Sequence, residues 1–194
     1  VLKIAERVVH EEGLDGLQAR RIAKEADCSV GSLYNVFGDL DDFITAVNVR
    51  TLAAMRAALT EALEAAAPPL SGLSGQSGMH ARLLTLAKAY TQYALSHPKA
   101  WEAIFKHRRR PDAGALPDYL REQAALLALI EGVLAERSTD AATRSRWARA
   151  LFGAVHGIVT LAADDRLGGM AKAELDEQII FIVDVVVRGL PPPS

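Results

Sequence analysis

The sequence predicts an all-α protein, a three-helix head joined to a larger helical body with about nine helices in all, and three observations carry that prediction. Apolar residues recur at three- and four-residue spacing, as in Ile4, Val8 and Val9, in Ile22, Ala23 and Ala26, and in Leu84 and Ala87, which is the period of one helix face. Ala, Leu, Glu and Arg, all good helix formers, dominate the chain. Gly13, Asp27, Gly38 and the Pro68-Pro69 pair stand where the first four periodic stretches stop.

In order, short helices are expected to end near Gly13, Asp27 and Gly38, and a long one starts at about Asp41 and runs into Ala67-Pro68-Pro69. The Gly/Ser-rich stretch from Ser71 to Gly78 reads as a loop. Further helices are expected at about Met79 to Leu95, Pro98 to Lys106, Pro117 to Glu136, Asp140 to Ala163 and Ala171 to Arg188, with Pro98 and Pro117 in first turns. The run from Ile179 to Val187 has the β-branched content of a strand. A strand needs a partner and no other segment resembles one, so a helix buried on most sides is the better reading. The Leu190-Pro-Pro-Pro-Ser tail stops the last helix, and there is no internal repeat.

Composition bounds the function. Half of the 194 residues are hydrophobic, enough for a sizeable core. The single cysteine, Cys28, excludes an internal disulfide and suits a reducing cytoplasm, and no stretch resembles a signal peptide. The longest apolar run is broken by Asp184 and is far shorter than the roughly 20 residues of a membrane helix, so a soluble, cytoplasmic protein with no membrane partner is expected. Net charge is −2 and the pI is near 6.2, without the global basic signature of sequence-independent nucleic-acid binders. The helical pattern begins almost at Val1, so a preceding segment is expected, and any basic arm would lie there.

The informative segment runs from Leu17 to Phe37. Ile22, Ala23 and Ala26 form the apolar face of one short helix, and Val30, Leu33 and Phe37 that of the next; small Ala23 lets the two cross closely. Asp27 sits where a helix-turn-helix often needs a left-handed residue, Ser29 is a good N-cap, and Gly38 ends the second helix. Gly31, Ser32, Tyr34 and Asn35 are left exposed on that second helix. They suit a major groove: glycine permits close approach, the hydroxyls donate to phosphates, and asparagine pairs with an adenine edge.

Ile22, Ala23, Ala26, Ser29, Gly31, Ser32, Leu33, Tyr34 and Phe37 reproduce, in order and spacing, the N-terminal signature of the TetR family of bacterial regulators. The chain resembles that family over about its first 55 residues. The resemblance implies a DNA-binding domain at residues 1–45 and a ligand-binding and dimerisation domain at 46–194. It also implies that Arg20 reaches a base or phosphate, and that Val30 and Gly31 lie at the groove-facing N-terminus of the recognition helix. Gln18 occupies the position of the family's Ser or Thr cap; because Asp15 with Gln18 makes a capping box one turn earlier, that helix is expected to begin sooner. Leu40 stands where the family often has a phosphate-contacting lysine. Residues 1–50 carry six cations (Lys3, Arg7, Arg20, Arg21, Lys24, Arg50) against nine Asp and Glu, so electrostatic affinity for DNA is expected to be low.

In the body, the segment from Ala150 to Val159 resembles the C-terminal class named for a tryptophan-histidine-glycine pattern, with His156 and Gly157 matching and Phe152 in place of the tryptophan. Gly153 and Gly157 lie one turn apart on one face, where glycine costs up to about 1 kcal/mol each relative to alanine. Close approach of another helix, the last helix above all, is the expected compensation. In the family the last two helices of each subunit commonly pair across a two-fold axis, which implies a homodimer through Gly153, Gly157, Ile179, Ile182, Val183 and Val186; the alternative is packing within one chain alone. Tyr90, Tyr93, Trp101, Phe105, Trp147, Phe152 and His156 are the side chains from which a pocket for a small-molecule effector could be built; each is alternatively plain core. His156 with Asp164 and Asp165 fits no dedicated metal motif. The His107-Arg-Arg-Arg110 segment reads as an exposed, solvated basic loop, with an anion or DNA contact as the alternative.

The sequence therefore points to a DNA-binding transcriptional regulator, a repressor on a palindromic double-stranded DNA operator, released by a small apolar or amphipathic effector and needing no cofactor. The alternative is a helical ligand- or protein-binding module without operator binding. An enzyme is not expected, since no nucleophile–base pair, metal signature or phosphate loop is present.

Overall fold

The computed structural model describes residues 1–70, 75–108, 117–164 and 169–192, and among these it contains nine α-helices and no strand. They are α1 (Leu2–Glu12), α2 (Ala19–Glu25), α3 (Val30–Phe37), α4 (Leu40–Leu70), α5 (Gly75–Ser96), α6 (Pro98–Lys106), α7 (Pro117–Leu134), α8 (Ala141–Ala163) and α9 (Lys172–Gly189), with a 3-10 turn at Leu14–Gly16. The β-branched run Ile179–Val187 is helical, as preferred over a strand. Its one acid, Asp184, is held by Arg188 one turn on at 2.7 Å.

Three boundaries move. Helix α4 does not stop at Pro68-Pro69 but runs on to Leu70. The stretch read as a loop is helical from Gly75, where α5 begins, while residues 71–74 lie outside the described residues. The capping box at Asp15 does not form: Leu14–Gly16 winds as a 3-10 turn, and α2 starts at Ala19 behind a Gln18 that makes no side-chain cap bond. The backbone N–H groups of Leu17 and Gln18 are taken by the carbonyls of Leu14 and Gly16 instead, which leaves the first turn of α2 no earlier place to begin.

The chain forms two compact units. The first comprises Val1–Arg56 and Ser96–Gln123. Its core is Val8 and Val9 of α1, Ile22 of α2, Leu33 of α3, and Phe43 and Val47 of α4, closed by Ala100 and Ala103 of α6. Helix α6 packs on α1, and Asn48 Nδ2 donates to the Ala103 carbonyl at 3.2 Å, tying α4 to α6 inside this core. The second unit comprises Ala57–Leu95 and Ala124–Ser194. There α8 packs on α9, and each contributes a buried row at four-residue spacing: Leu151, Val155 and Val159 from α8; Ile179, Val183 and Val187 from α9. The domain boundary expected between residues 45 and 46 falls within α4.

Candidate nucleic-acid interface

The head is built from local chemistry. After α2 the chain turns through Asp27 in the left-handed region, φ 50°, a conformation aspartate tolerates better than most non-glycine residues. Ser29 then caps α3, its Oγ accepting from the Ser32 N–H at 3.0 Å. Gly38, at φ 82°, ends α3, and its N–H donates to the Tyr34 carbonyl at 2.8 Å. Asp39 begins the next helix by accepting from the Asp42 N–H at 2.9 Å. Helix α3 is thereby fixed at both ends and held on the core by Leu33, which is fully buried.

On that helix Gly31, Ser32 and Asn35 are exposed and Val30 is half-buried. Tyr34 is not the open residue the sequence implied: it is half-buried and packs against the core of the head. Its ring lies near the inward side of the helix, forty degrees from Val30 at 100° per residue. Val36, which the sequence reading passed over, is 75 % exposed. Its phase would have revealed it, since Val36 follows Ser32 by four residues and so shares that residue's edge. Val36 also lines an open groove of about 420 Å³ with Leu2, Phe37 and Val49.

The charges of the head are arranged so that much of the cationic surface is occupied. Arg7 pairs with Glu11 and Glu25, Arg21 donates from both terminal nitrogens to Glu12 at 2.6 Å, and Arg50 pairs with Glu6. Hydrogen bonding in these pairs raises all three guanidinium pKa values and holds Glu12 below the ordinary carboxylate range. Gln18 and Arg20 are exposed, and Lys3, Arg20 and Lys24 carry no ion pair among the described residues. Helix α3 itself has no charged residue. Leu40 begins α4 and is exposed. His107, expected in an exposed basic loop, turns inward instead, with Nε2 3.8 Å from Asp41 Oδ1; Arg108 is exposed, and Arg109 and Arg110 lie outside the described residues.

Of the residues considered for an effector pocket, three converge in the second unit. Tyr90 Oη lies 2.7 Å from His156 Nδ1, and Phe152 stacks on the imidazole at 5.4 Å while meeting the Tyr90 ring edge-on at 5.6 Å. Burial lowers the His156 pKa, which favours the neutral ring. With Tyr90 O–H donating to Nδ1, the proton sits on Nε2 and faces Thr160 Oγ1 at 3.4 Å. Tyr93 is buried and Trp147 half-buried in the same unit. Trp101 and Phe105 belong to the first unit, where their rings lie 5.2 Å apart. No group of three metal-binding side chains occurs among the described residues, and Asp165 lies outside them.

The glycine pair on α8 does not meet α9. A Cβ at Gly153 or Gly157 would find nothing within 4 Å, because α9 packs against the Leu151, Val155 and Val159 row instead. Ile179 and Val183 are likewise consumed inside the chain and offer no side-chain surface, while Ile182 and Val186 are half-buried. The outward apolar residues of α9 are Ile180, Phe181 and Val185. Among the described residues no helix is long and apolar enough to cross a membrane.

Comparison with known proteins agrees with this architecture. Residues 1–47 match the family model described as bacterial regulatory proteins, tetR family, and residues 83–186 match the tetracyclin repressor-like C-terminal domain. The second match spans the Ala150–Val159 segment that carries His156 and Gly157. An uncharacterised HTH-type transcriptional regulator of Bacillus subtilis, YobS, is 23% identical over 190 residues, covering 98% of this chain and 90% of that protein. A protein of unknown function from Rhodococcus sp. RHA1 superposes with a TM-score of 0.74 at 30% identity, covering 97% of this chain and 92% of that one. The multidrug binding protein EbrR, crystallised with imidazole, has the same fold, with a TM-score of 0.62 at 23% identity over 100% of this chain and 94% of its own.

Proposed function

The chain belongs to the tetR family of bacterial transcriptional regulators, and on that premise we propose that it is a cytoplasmic repressor that binds a palindromic DNA operator as a homodimer and is released by a small apolar or amphipathic effector. The observation that carries the DNA-binding part is the edge of α3. Gly31, Ser32 and Asn35 stand exposed on a helix whose orientation is set by the Asp27 turn and the Ser29 cap. Glycine and serine let that helix sit deep, asparagine suits an adenine edge, and Arg20, exposed in the first turn of α2, suits a phosphate.

Two such helices, one from each subunit, would enter successive major grooves about 34 to 36 Å apart. The subunits would pair through α8 and α9, with Gly153, Gly157, Ile180, Phe181 and Val185 outward and Ile182 and Val186 at the margin. The effector would be recognised around Tyr90, Phe152 and His156, with Tyr93 and Trp147 of the same unit. A neutral imidazole flanked by two aromatic rings suits a ligand with a flat apolar body and a single polar group. EbrR, named as a multidrug binding protein and crystallised with imidazole, lends support to a ligand in a fold of this kind. Such a ligand acts only through its different affinity for the DNA-competent and incompetent states.

The ion-paired arginines of the head favour the rival reading, a binding module without an operator. Electrophoretic retention of DNA from upstream of the chain's own operon, at low salt, separates the two. Sequence-specific retention that Asn35→Ala weakens is expected. A chain that stays folded and retains no such DNA would overturn the repressor reading.

A further inference from the structure

We propose that Val36 is a specificity-determining residue: its side chain meets the C5-methyl group of a thymine in the major groove, so that each operator half-site carries a thymine at that point. The inference rests on the DNA-binding reading above and adds to it a base and a residue.

Three of the four large apolar side chains of α3, those of Val30, Leu33 and Phe37, turn wholly or partly into the head. Val36 does not; it is more exposed than Phe181, at 75 % against 67 %. At 100° per residue, Val36 lies about 40° from Ser32 and about 100° from Asn35, just beyond the Ser32 end of the arc that carries Gly31, Asn35 and Ser32. A helix that turns the Ser32 side of that arc toward base edges brings Val36 to them as well.

The chemistry of the groove then leaves one partner. Base edges there present nitrogen and oxygen acceptors, amino donors and a single apolar group, the thymine methyl. Valine neither donates nor accepts, so against any other base it would strip water from a polar edge and return no hydrogen bond. Against thymine it buries apolar surface on both sides. The weakness of the other terms makes this contact matter: α3 has no charged side chain, and Arg7, Arg21 and Arg50 are engaged with carboxylates. Asn35, adjacent in sequence, suits an adenine, so the pair Asn35 and Val36 matches a step of A·T pairs. The groove that Val36 shares with Leu2, Phe37 and Val49 offers an apolar neighbour too, but nothing seated there would sense a methyl group on DNA.

The test uses the whole chain and duplexes it selects from a random-sequence pool. The recovered site is rebuilt with each thymine of one half-site replaced in turn by deoxyuridine, which removes the methyl and nothing else. At one position the wild-type chain should lose about three- to fivefold in affinity. Val36→Ala should bind the thymine duplex more weakly by a similar factor and show no further loss on the deoxyuridine duplex, whereas Asn35→Ala should keep the methyl effect. Because Val36 is exposed, the alanine variant retains the fold, which circular dichroism verifies. A recovered site at which no deoxyuridine weakens binding, or at which the loss is equal for wild type and Val36→Ala, overturns the inference and leaves the regulator reading standing. Recovery of no site at all would remove that reading, and this one with it.

Discussion

Replacing Phe181 by alanine should dissociate the proposed dimer while leaving each subunit folded. Phe181 is 67 % exposed on α9, beside Val185 at 46 %. A phenylalanine side chain presents about 200 Å², so about 130 Å² remains for a second chain to cover. At about 25 cal/mol per Å² that is about 3 kcal/mol. A two-fold interface uses the residue twice, so the change costs about 6 kcal/mol across the dimer, roughly four orders of magnitude in the dimer Kd. The fold is spared because the row that joins α9 to α8, Ile179, Val183 and Val187, is untouched and already buried. Sedimentation equilibrium over a concentration series reads the Kd directly, with circular dichroism on the same samples as the check on folding. Operator affinity should fall in parallel, since uncoupled heads no longer bind two half-sites as one ligand. A Phe181→Ala chain that remains as tightly dimeric as wild type would refute the assignment of this face. Gly153→Leu offers a second probe: nothing in the chain lies within 4 Å of a Cβ there, so it should be harmless to the monomer and obstruct only a helix from outside.

Ser29→Ala removes the oxygen that accepts from Ser32 N–H at 3.0 Å and should lower head stability by about 1 kcal/mol, read as a shift in the urea midpoint at unchanged slope. Arg20→Ala should flatten the dependence of log K on log salt by about 0.9 per head, about 1.8 for a dimer on two half-sites. A titration of binding against potassium chloride measures this, and an unchanged slope would place Arg20 away from phosphate. His156 has its pKa lowered by burial from the ordinary 6.5, so the unfolded chain binds the proton more readily than the folded one. Stability should be complete above pH 6.5 and decline as pH falls from there through the lower folded value; His156→Phe should remove that part of the decline in thermal melts taken across the range.

What was legible in the sequence was what local chemistry decides. Asp27, Ser29 and Gly38 announce a turn, a cap and a stop through their own backbone and side-chain preferences, and the structure places them so. Helix period gives the phase of α3 but not the depth at which a large ring settles, which is why Tyr34 was read as open. On α9 the period is nearly silent, because apolar residues occupy most of the circumference. Ile179 and Val183 could then be placed outward when they are the buried row. Contacts between distant residues left no trace in spacing. Arg7 with Glu25, Arg50 with Glu6, and Tyr90 with His156 are set by how helices pack, and sequence patterning has no term for them.

Those long-range pairs bear on how a head with more acids than bases can serve as a DNA reader. Non-specific binding to duplex DNA is almost wholly counterion release, so its strength follows the number of cations free to meet phosphates. In this head Arg7, Arg21 and Arg50 are held by carboxylates, and α3 contributes no charge. That weakens binding to every sequence alike. The contacts proposed to discriminate, an asparagine amide on a base edge and a valine against a methyl group, are short-ranged and nearly insensitive to salt. Subtracting a common electrostatic term from both lowers absolute affinity but leaves the ratio of specific to non-specific binding intact, and it is that ratio that governs occupancy among the many competing sites of a genome. The operator preference of the wild-type chain, measured as the ratio of its affinities for the selected duplex and for a scrambled one, should therefore change little between 50 and 200 mM salt, even as both affinities fall. A ratio that collapses over that range would mean that ion pairs, and not the uncharged edge of α3, carry the discrimination.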